Sequence, residues 1–347
     1  MSKIVFVGLS GGVDSAVSAA LLKEQGYNVV GAFIKIWSPE FIECTWKEDR
    51  LDAMRVCAAL QLPFREVDLS REYKDEVVTD MVEGYAKGIT PNPDVLCNRS
   101  IKFGHFSKWA FENGADFIAT GHYARVRELD GRYELLRGVD ANKDQSYFLH
   151  RLGRTDLMRA LFPVGAFSKS QIRSLARKFD LPNAARPGSQ GLCFVGDVSM
   201  KDFLSRFLEL RKGDVLDETG KVVGVHDGAA LYTPGERHGF STSIAVPQYV
   251  VGTDIIRNIV HVSSRREEGG RTSVTVPDMH WISEALELPV TLEAQVRYRE
   301  KPFEADLSKG DGSIVATFHE PRIAAQGQSL VLYDGEICLG GGIIRYA

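Results

Sequence analysis

The string Thr90-Pro91-Asn92-Pro93-Asp94-Val95-Leu96-Cys97-Asn98-Arg99 sets a thiol three residues after a carboxylate, behind two prolines. Pro91 and Pro93 fix φ and stiffen the segment ahead of a helix expected to start near Cys97. A thiol at a helix start feels the positive end of the dipole, which lowers its pKa and raises its thiolate fraction; Arg99 adds positive charge. Asp94 is placed either to cap that helix or to act as a general base. The bland alternatives are a plain N-cap and a small core thiol, since free cysteine is usually buried. Polar, proline-rich flanks favour chemistry. A second thiol, Cys193, follows Gly191 in a stretch that also holds Pro187 and Gly188. Its residues alone leave packing and chemistry equally open.

A different chemistry is written near the N-terminus. Gly8-Leu9-Ser10-Gly11-Gly12-Val13-Asp14-Ser15 joins a short apolar strand to a helix pattern. Glycines let the backbone turn tightly and bring N–H groups up to an anion, and the helix N-terminus adds partial positive charge. No Gly-Lys-Ser/Thr follows, so this is not a Walker loop, and it is not GxGxxG. The form SGGxDS resembles the pyrophosphate loop of the ATP-pyrophosphatase superfamily, which cleaves ATP between the α and β phosphates and adenylates its substrate. That likeness implies ATP at residues 8–15, with Asp14 helping to hold Mg²⁺ or to orient pyrophosphate.

These segments need a scaffold. Ile4–Val7, Val29–Ile36, Phe64–Leu69 and Ala115–Thr120 read as strands. Between them, residues 13–25, 51–60 and 72–87 read as helices, with Ala53, Met54, Cys57 and Leu60 on one apolar face. This alternation predicts an α/β fold, a doubly wound, mostly parallel sheet with ligands at the carboxyl ends of its strands. Residues 123–137 read as a hairpin around Asp130-Gly131. Residues 151–186 hold eight Lys or Arg against Asp156 and Asp180, and Ser168 with Gln171 forms a capping box for a basic helix. That helix is either a solvated face or a phosphate-binding one. After residue 200 the pattern becomes β-rich. Expected domains are a catalytic domain (1–200), a β-rich central domain (201–275) and a C-terminal β-barrel-like domain (276–347).

Composition bounds the reading. A chain of 347 residues suits two or three domains, and a net charge of −4 means that any RNA contact must come from a local basic surface. Five cysteines without CxxC spacing suggest neither a disulfide scaffold nor a zinc knuckle. With no signal-like or membrane-length apolar run, a cytoplasmic protein with reduced thiols and no membrane partner is expected. Cys57 and Cys338 read as core; Cys44, near Trp37 and Trp46, has no assignment.

The proline–thiol string closely resembles the catalytic loop of the tRNA-specific 2-thiouridylases (the MnmA/TrmU family). So do Thr120-Gly121-His122-Tyr123-Ala124-Arg125, Lys143-Asp144-Gln145-Ser146-Tyr147-Phe148-Leu149, Ser189-Gln190-Gly191-Leu192-Cys193-Phe194, Gln295-Val296-Arg297-Tyr298-Arg299 and Cys338-Leu339-Gly340-Gly341-Gly342. They span the chain in family order. The resemblance implies ATP-dependent activation of the 2-oxygen of the tRNA wobble uridine. Cys193 would be the second catalytic cysteine, carrying a persulfide received from a cysteine desulfurase or sulfur-relay protein, and Cys97 would be the nucleophile that attacks the persulfide and leaves a Cys97–Cys193 disulfide. It places Asn92, Pro93 and Asp94 around the target base, and His122, Lys143, Asp144, Gln145, Arg297, Tyr298 and Gln328 on tRNA. Ile34 and Gly121 would line the adenine pocket. A rival scheme binds an iron–sulfur cluster through Asp94, Cys97 and Cys193. Two stretches depart from the family pattern: Arg186-Pro187-Gly188-Ser189, and Tyr232-Thr233-Pro234-Gly235-Glu236-Arg237-His238-Gly239. Two other readings compete: another superfamily adenylator, and a nucleotide-regulated RNA-binding protein without catalysis.

Overall fold

The computed structural model describes residues 2–41, 46–187 and 198–346, so Cys44 and Cys193 lie outside the described residues. β1 (Ile4–Gly8), β2 (Asn28–Lys35), β3 (Phe64–Asp68) and β4 (Phe117–Ala119) form a parallel sheet in the order β3-β2-β1-β4. Alternation along β1 decides which layer each side chain joins. Phe6 packs with the helices at 70–86 and 93–112, through Tyr73, Val77, Met81, Ile101 and Phe106. Val5 and Val7 point the other way, to α1 (Val13–Glu24), α2 (Trp46–Ala59) and the Lys169–Lys178 helix. Strands buried on both faces read as continuous apolar runs, and a doubly wound sheet follows.

α2 starts at Trp46, earlier than expected, and its buried face is Ala53, Val56 and Cys57. Met54, expected on that face, is exposed. The helix expected near Cys97 begins instead at Pro93, where Asn92 is the N-cap and accepts from the Val95 amide. Proline at the first helical position suits this, because its missing N–H would have had no partner.

β5 (Ala124–Leu129) and β6 (Arg132–Arg137) form the hairpin, with both turn residues, Asp130 and Gly131, at positive φ. β7 (Ala160–Leu161) pairs in parallel with β4 at the edge of the first sheet. The hairpin itself joins the far end of the chain. Leu136 pairs with Ile337 and Leu135 with Cys338, extending an antiparallel sheet built from residues 271–343. A bridge between Thr275 and Arg345 ties the first strand of that sheet to the segment after its last strand, which gives the barrel-like form. A separate five-stranded sheet occupies residues 213–263, around Val215, Val250, Val260 and Val262.

Candidate active site

The glycine loop lies where β1 ends. Leu9 N–H donates to the Ala32 carbonyl, which peels the chain off β1 toward β2. Gly11 sits at φ +74, and a Cβ there would come 2.7 Å from the Asp49 carbonyl oxygen, so only glycine fits. The Ser15 hydroxyl closes the turn, donating to Gly12 O at 3.1 Å and accepting from the Ser10 amide at 3.2 Å. Gly12 is the N-cap of α1 and contributes no side-chain cap, and the first amides of a helix have no partner within it, the arrangement that suits an anion.

Asp14, in the first turn of α1, is held by two groups from distant segments. Lys169 Nζ lies 2.6 and 2.7 Å from its two carboxylate oxygens, and the Tyr123 hydroxyl donates to Oδ1 at 2.8 Å. Burial and the neighbouring Asp14 push the Tyr123 phenol up, so it stays a donor. Lys169 was hidden in the basic stretch of the sequence. Its capping box forms as expected, with Ser168 and Gln171 bonding reciprocally. The basic face, however, turns partly inward. Arg173 donates to the carbonyls of Ala184 and Arg186, and Lys169 reaches the loop. Arg186 in turn pairs with Asp49 and Asp52 and donates to Gly11 O at 3.3 Å.

Gly121 presses on the same loop: a Cβ there would lie 2.7 Å from the Ser15 amide nitrogen. Ile34 packs against Gly8, 3.7 Å from where its Cβ would stand. The two expected adenine-pocket residues are therefore both at the loop.

The second cluster is carried by the helix at 93–112. It is α-helical over Pro93–Leu96 and Ser107–Glu112 and π-helical over Cys97–Phe106. Because the helix starts at Pro93, Cys97 lies a full turn inside it, and the dipole acts on its thiol less than at a helix start. Cys97 is buried, at 7% exposure, within the main core. Asp94 takes the first-turn position, and burial pushes its carboxyl above the usual range, with Lys102 pulling it back in part. A carboxylate made more basic in this way suits proton abstraction.

Segment 120–123 links the clusters. His122 is buried, its Nδ1 2.7 Å from Thr120 Oγ1 and its Nε2 3.5 Å from Lys102 Nζ, between the rings of Phe103 and Phe162. Burial drops its pKa well below 6.5, so it is neutral. Expected as a tRNA contact, it is instead enclosed.

The remaining expected RNA contacts divide. Asp144 accepts from Gly138 N–H, Ser146 N–H and Ser146 Oγ, and Gln145 Oε1 accepts from Tyr123 N–H at 3.0 Å. Both side chains organise the protein; Lys143 is half-buried in the adjoining turn. Gln328 Nε2 donates to the carbonyls of Thr90 and Pro91, each at 3.1 Å, fastening the proline loop to the C-terminal sheet. Arg297 donates to Pro234 O at 2.6 Å. Tyr298 lies tilted on Phe148 with ring centroids 4.4 Å apart and is half-buried. Cys57 and Cys338 are buried thiols pushed up to about 11 and about 12 by desolvation, as inert packing requires.

Family models match three consecutive parts of the chain. The tRNA methyl transferase HUP domain covers residues 3–197, the tRNA methyl transferase PRC-barrel domain 201–264 and the aminomethyltransferase β-barrel domain 271–344. A protein of Pseudomonas paraeruginosa named tRNA-specific 2-thiouridylase MnmA is 44% identical over 354 residues, spanning 99% of this chain and 94% of that protein. One of Geobacillus kaustophilus, named tRNA-specific 2-thiouridylase MnmA 2, is 43% identical, spanning 98% and 94%. The MnmA of Ralstonia pickettii is 43% identical, spanning 99% and 96%.

Proposed function

This chain belongs to the tRNA-specific 2-thiouridylase family, a family of ATP-dependent sulfurtransferases, and we propose that it replaces the 2-oxygen of the tRNA wobble uridine with sulfur. The observation that carries the reading to this site is segment 120–123. It touches the anion loop through Gly121 and Tyr123 and the Asp94–Cys97 helix through His122. A nucleotide on the loop and a base beside Asp94 would thus share one boundary.

The reaction needs activation first, because a carbonyl oxygen is a poor leaving group. The uridine 2-oxygen forms a bond to the α phosphorus of ATP as the bond to pyrophosphate breaks and its electron pair leaves with pyrophosphate. Asp94 takes the N3 proton, leaving a C2=N3 double bond. A Cys193 persulfide then attacks C2 through its terminal sulfur, and AMP departs with the oxygen. Cys97 thiolate attacks the Cys193 sulfur, a Cys97–Cys193 disulfide forms, and the base leaves as the 2-thiolate. Asp94 returns the proton to N3. The sulfur comes from a cysteine desulfurase or relay protein, and an external reductant resets the disulfide.

The loop amides and α1 receive the phosphates, and Lys169 fixes Asp14 beside them. Asp14 is the one carboxylate of the loop, and one carboxylate with phosphate oxygens is a donor set Mg²⁺ takes. Bound there, Mg²⁺ would neutralise the departing pyrophosphate. Of the three ligands of the iron–sulfur alternative, only Asp94 and Cys97 fall among the described residues, where no three-ligand group occurs. The wobble base must unstack to reach Asp94, at a cost of a few kcal/mol. Tyr298 would receive it, and Asn92, Pro93, His122, Lys143, Asp144, Gln145, Arg297 and Gln328 would form and brace the surface around it. No helix among the described residues is long and apolar enough to cross a membrane.

The test is incubation with tRNA, ATP, Mg²⁺, a cysteine desulfurase and cysteine, then mass analysis of the wobble nucleoside. Exchange of oxygen for sulfur is expected. Cys97→Ser and Cys193→Ser should each abolish it while keeping ATP and tRNA binding. Thiolation that survives either change would end the two-thiol scheme.

A further inference from the structure

The π-helical stretch Cys97–Phe106 brings a cation, Lys102, to the site. In an α-helix, five residues advance the chain about 1.4 turns, which would put Lys102 roughly 140° around the axis from Cys97. π-winding bonds i to i+5 and brings residues five apart onto neighbouring positions of one face. The π-helical segment starts at Cys97 and runs to Phe106, so Lys102 returns to the face that carries the thiol. π segments inside α-helices gather at functional sites.

The position of the ammonium is fixed from a second element. Lys102 Nζ lies 3.5 Å from His122 Nε2. An ammonium only donates, so Nε2 accepts, and the imidazole is the neutral tautomer with its proton on Nδ1, donated to Thr120 Oγ1 at 2.7 Å. His122 cannot move, being buried between Phe103 and Phe162. Gly121, its neighbour, abuts the Ser15 amide. Lys102 is only partly buried, its side-chain partner among the described residues is His122, and its charge is felt by Asp94. The ammonium therefore stands between the nucleotide loop and the proline–carboxylate loop.

We propose that Lys102 is a catalytic residue of the activation step, its ammonium donating to the oxygens that gather charge as the uridine 2-oxygen bonds to the α phosphorus. This rests on the adenylation reading above. The proton stays on Lys102 throughout; it supplies electrostatic stabilisation, and His122 is its positioning residue. A fixed cation aimed at developing charge acts without reorganising.

The experiment is single-turnover AMP and pyrophosphate formation by the full chain with tRNA, ATP and Mg²⁺, for wild type, Lys102→Met, Lys102→Gln and Lys102→Arg. The tRNA Kd of each is measured against salt, and thermal melting reports the fold. The two neutral variants should lose about 100-fold in rate at saturating tRNA. Their Kd should stay within about threefold, with an unchanged salt slope, and Lys102→Arg should recover part of the rate. Neutral variants that form AMP at near wild-type rate overturn the proposal. So does a salt slope lower by about one, which marks a plain phosphate contact. If Lys102→Met melts early, Lys102→Gln and Lys102→Arg decide between the same outcomes. A wild-type protein that releases no pyrophosphate in the presence of tRNA sinks the adenylation reading itself, a result distinct from these.

Discussion

Asp94 and Lys169 show how single residues are tuned by neighbours far away in sequence. Burial lifts the Asp94 carboxyl above its ordinary 3.8. Stability associated with the protonated form is therefore present below the unfolded pKa and is lost as pH rises through the higher folded one. At neutral pH a buried carboxylate therefore costs stability and is kept for its chemistry. Asp94→Asn should accordingly melt higher at pH 7, by about 1 kcal/mol of added stability. The same change should lower thiolation ~100-fold or more. Calorimetry beside nucleoside analysis checks both, and a variant that melts lower contradicts the burial argument. In the wild type, activation should fall as pH drops through the raised pKa, because the base becomes protonated. Lys169 answers to a different test. Lys169→Met frees Asp14 from the contacts at 2.6 and 2.7 Å. AMP formation should drop about 100-fold with tRNA affinity unchanged. Equal losses in tRNA binding would instead assign Lys169 to the RNA face.

At the scale of elements, the strand–helix alternation is legible because β1 is an apolar run and α1 is followed by Gly26. The helix carrying Cys97 begins at Pro93, one turn earlier than the sequence pattern predicts. Asn92 and Pro93 together make an N-cap and first position, ahead of the Asp94–Cys97 pair. The π-winding over Cys97–Phe106 has no local signal in the sequence. Segment 120–123 works by contact: its backbone at Gly121 leaves no room for a side chain against Ser15. Gly121→Ala should push on the loop and weaken ATP binding about tenfold, or about 1.4 kcal/mol. Titration calorimetry with ATP measures it, and an unchanged Kd would mean that the loop yields freely.

Over the whole molecule, the hairpin β5–β6 makes the catalytic part and the C-terminal sheet one unit. Leu135 pairs with Cys338, the Ser146 hydroxyl meets that of Tyr333, and the Arg137 guanidinium lies 3.5 Å above the Tyr333 ring. Val331, Tyr333 and Cys338 share one core with Phe6 and Phe106. A fragment ending at residue 200 exposes that shared core. It should lose cooperative unfolding, seen as a broadened thermal transition and fast proteolysis within 124–149. A fragment with a sharp native-like transition would show that the parts are independent. Gln328 extends the same union to the site, since it holds Thr90 and Pro91 from the far sheet.

The chain's order of residues determined the strand–helix rhythm, the glycine loop, the capping box and the list of chemical side chains, because each depends on neighbours within a turn or a strand. Tertiary structure alone decided that Lys169 would grip Asp14 across 155 positions, that His122 would be enclosed, and that a hairpin from the first part would complete the last sheet. Those outcomes depend on which distant segments share a core, and pairings between remote segments leave no periodic trace in either partner.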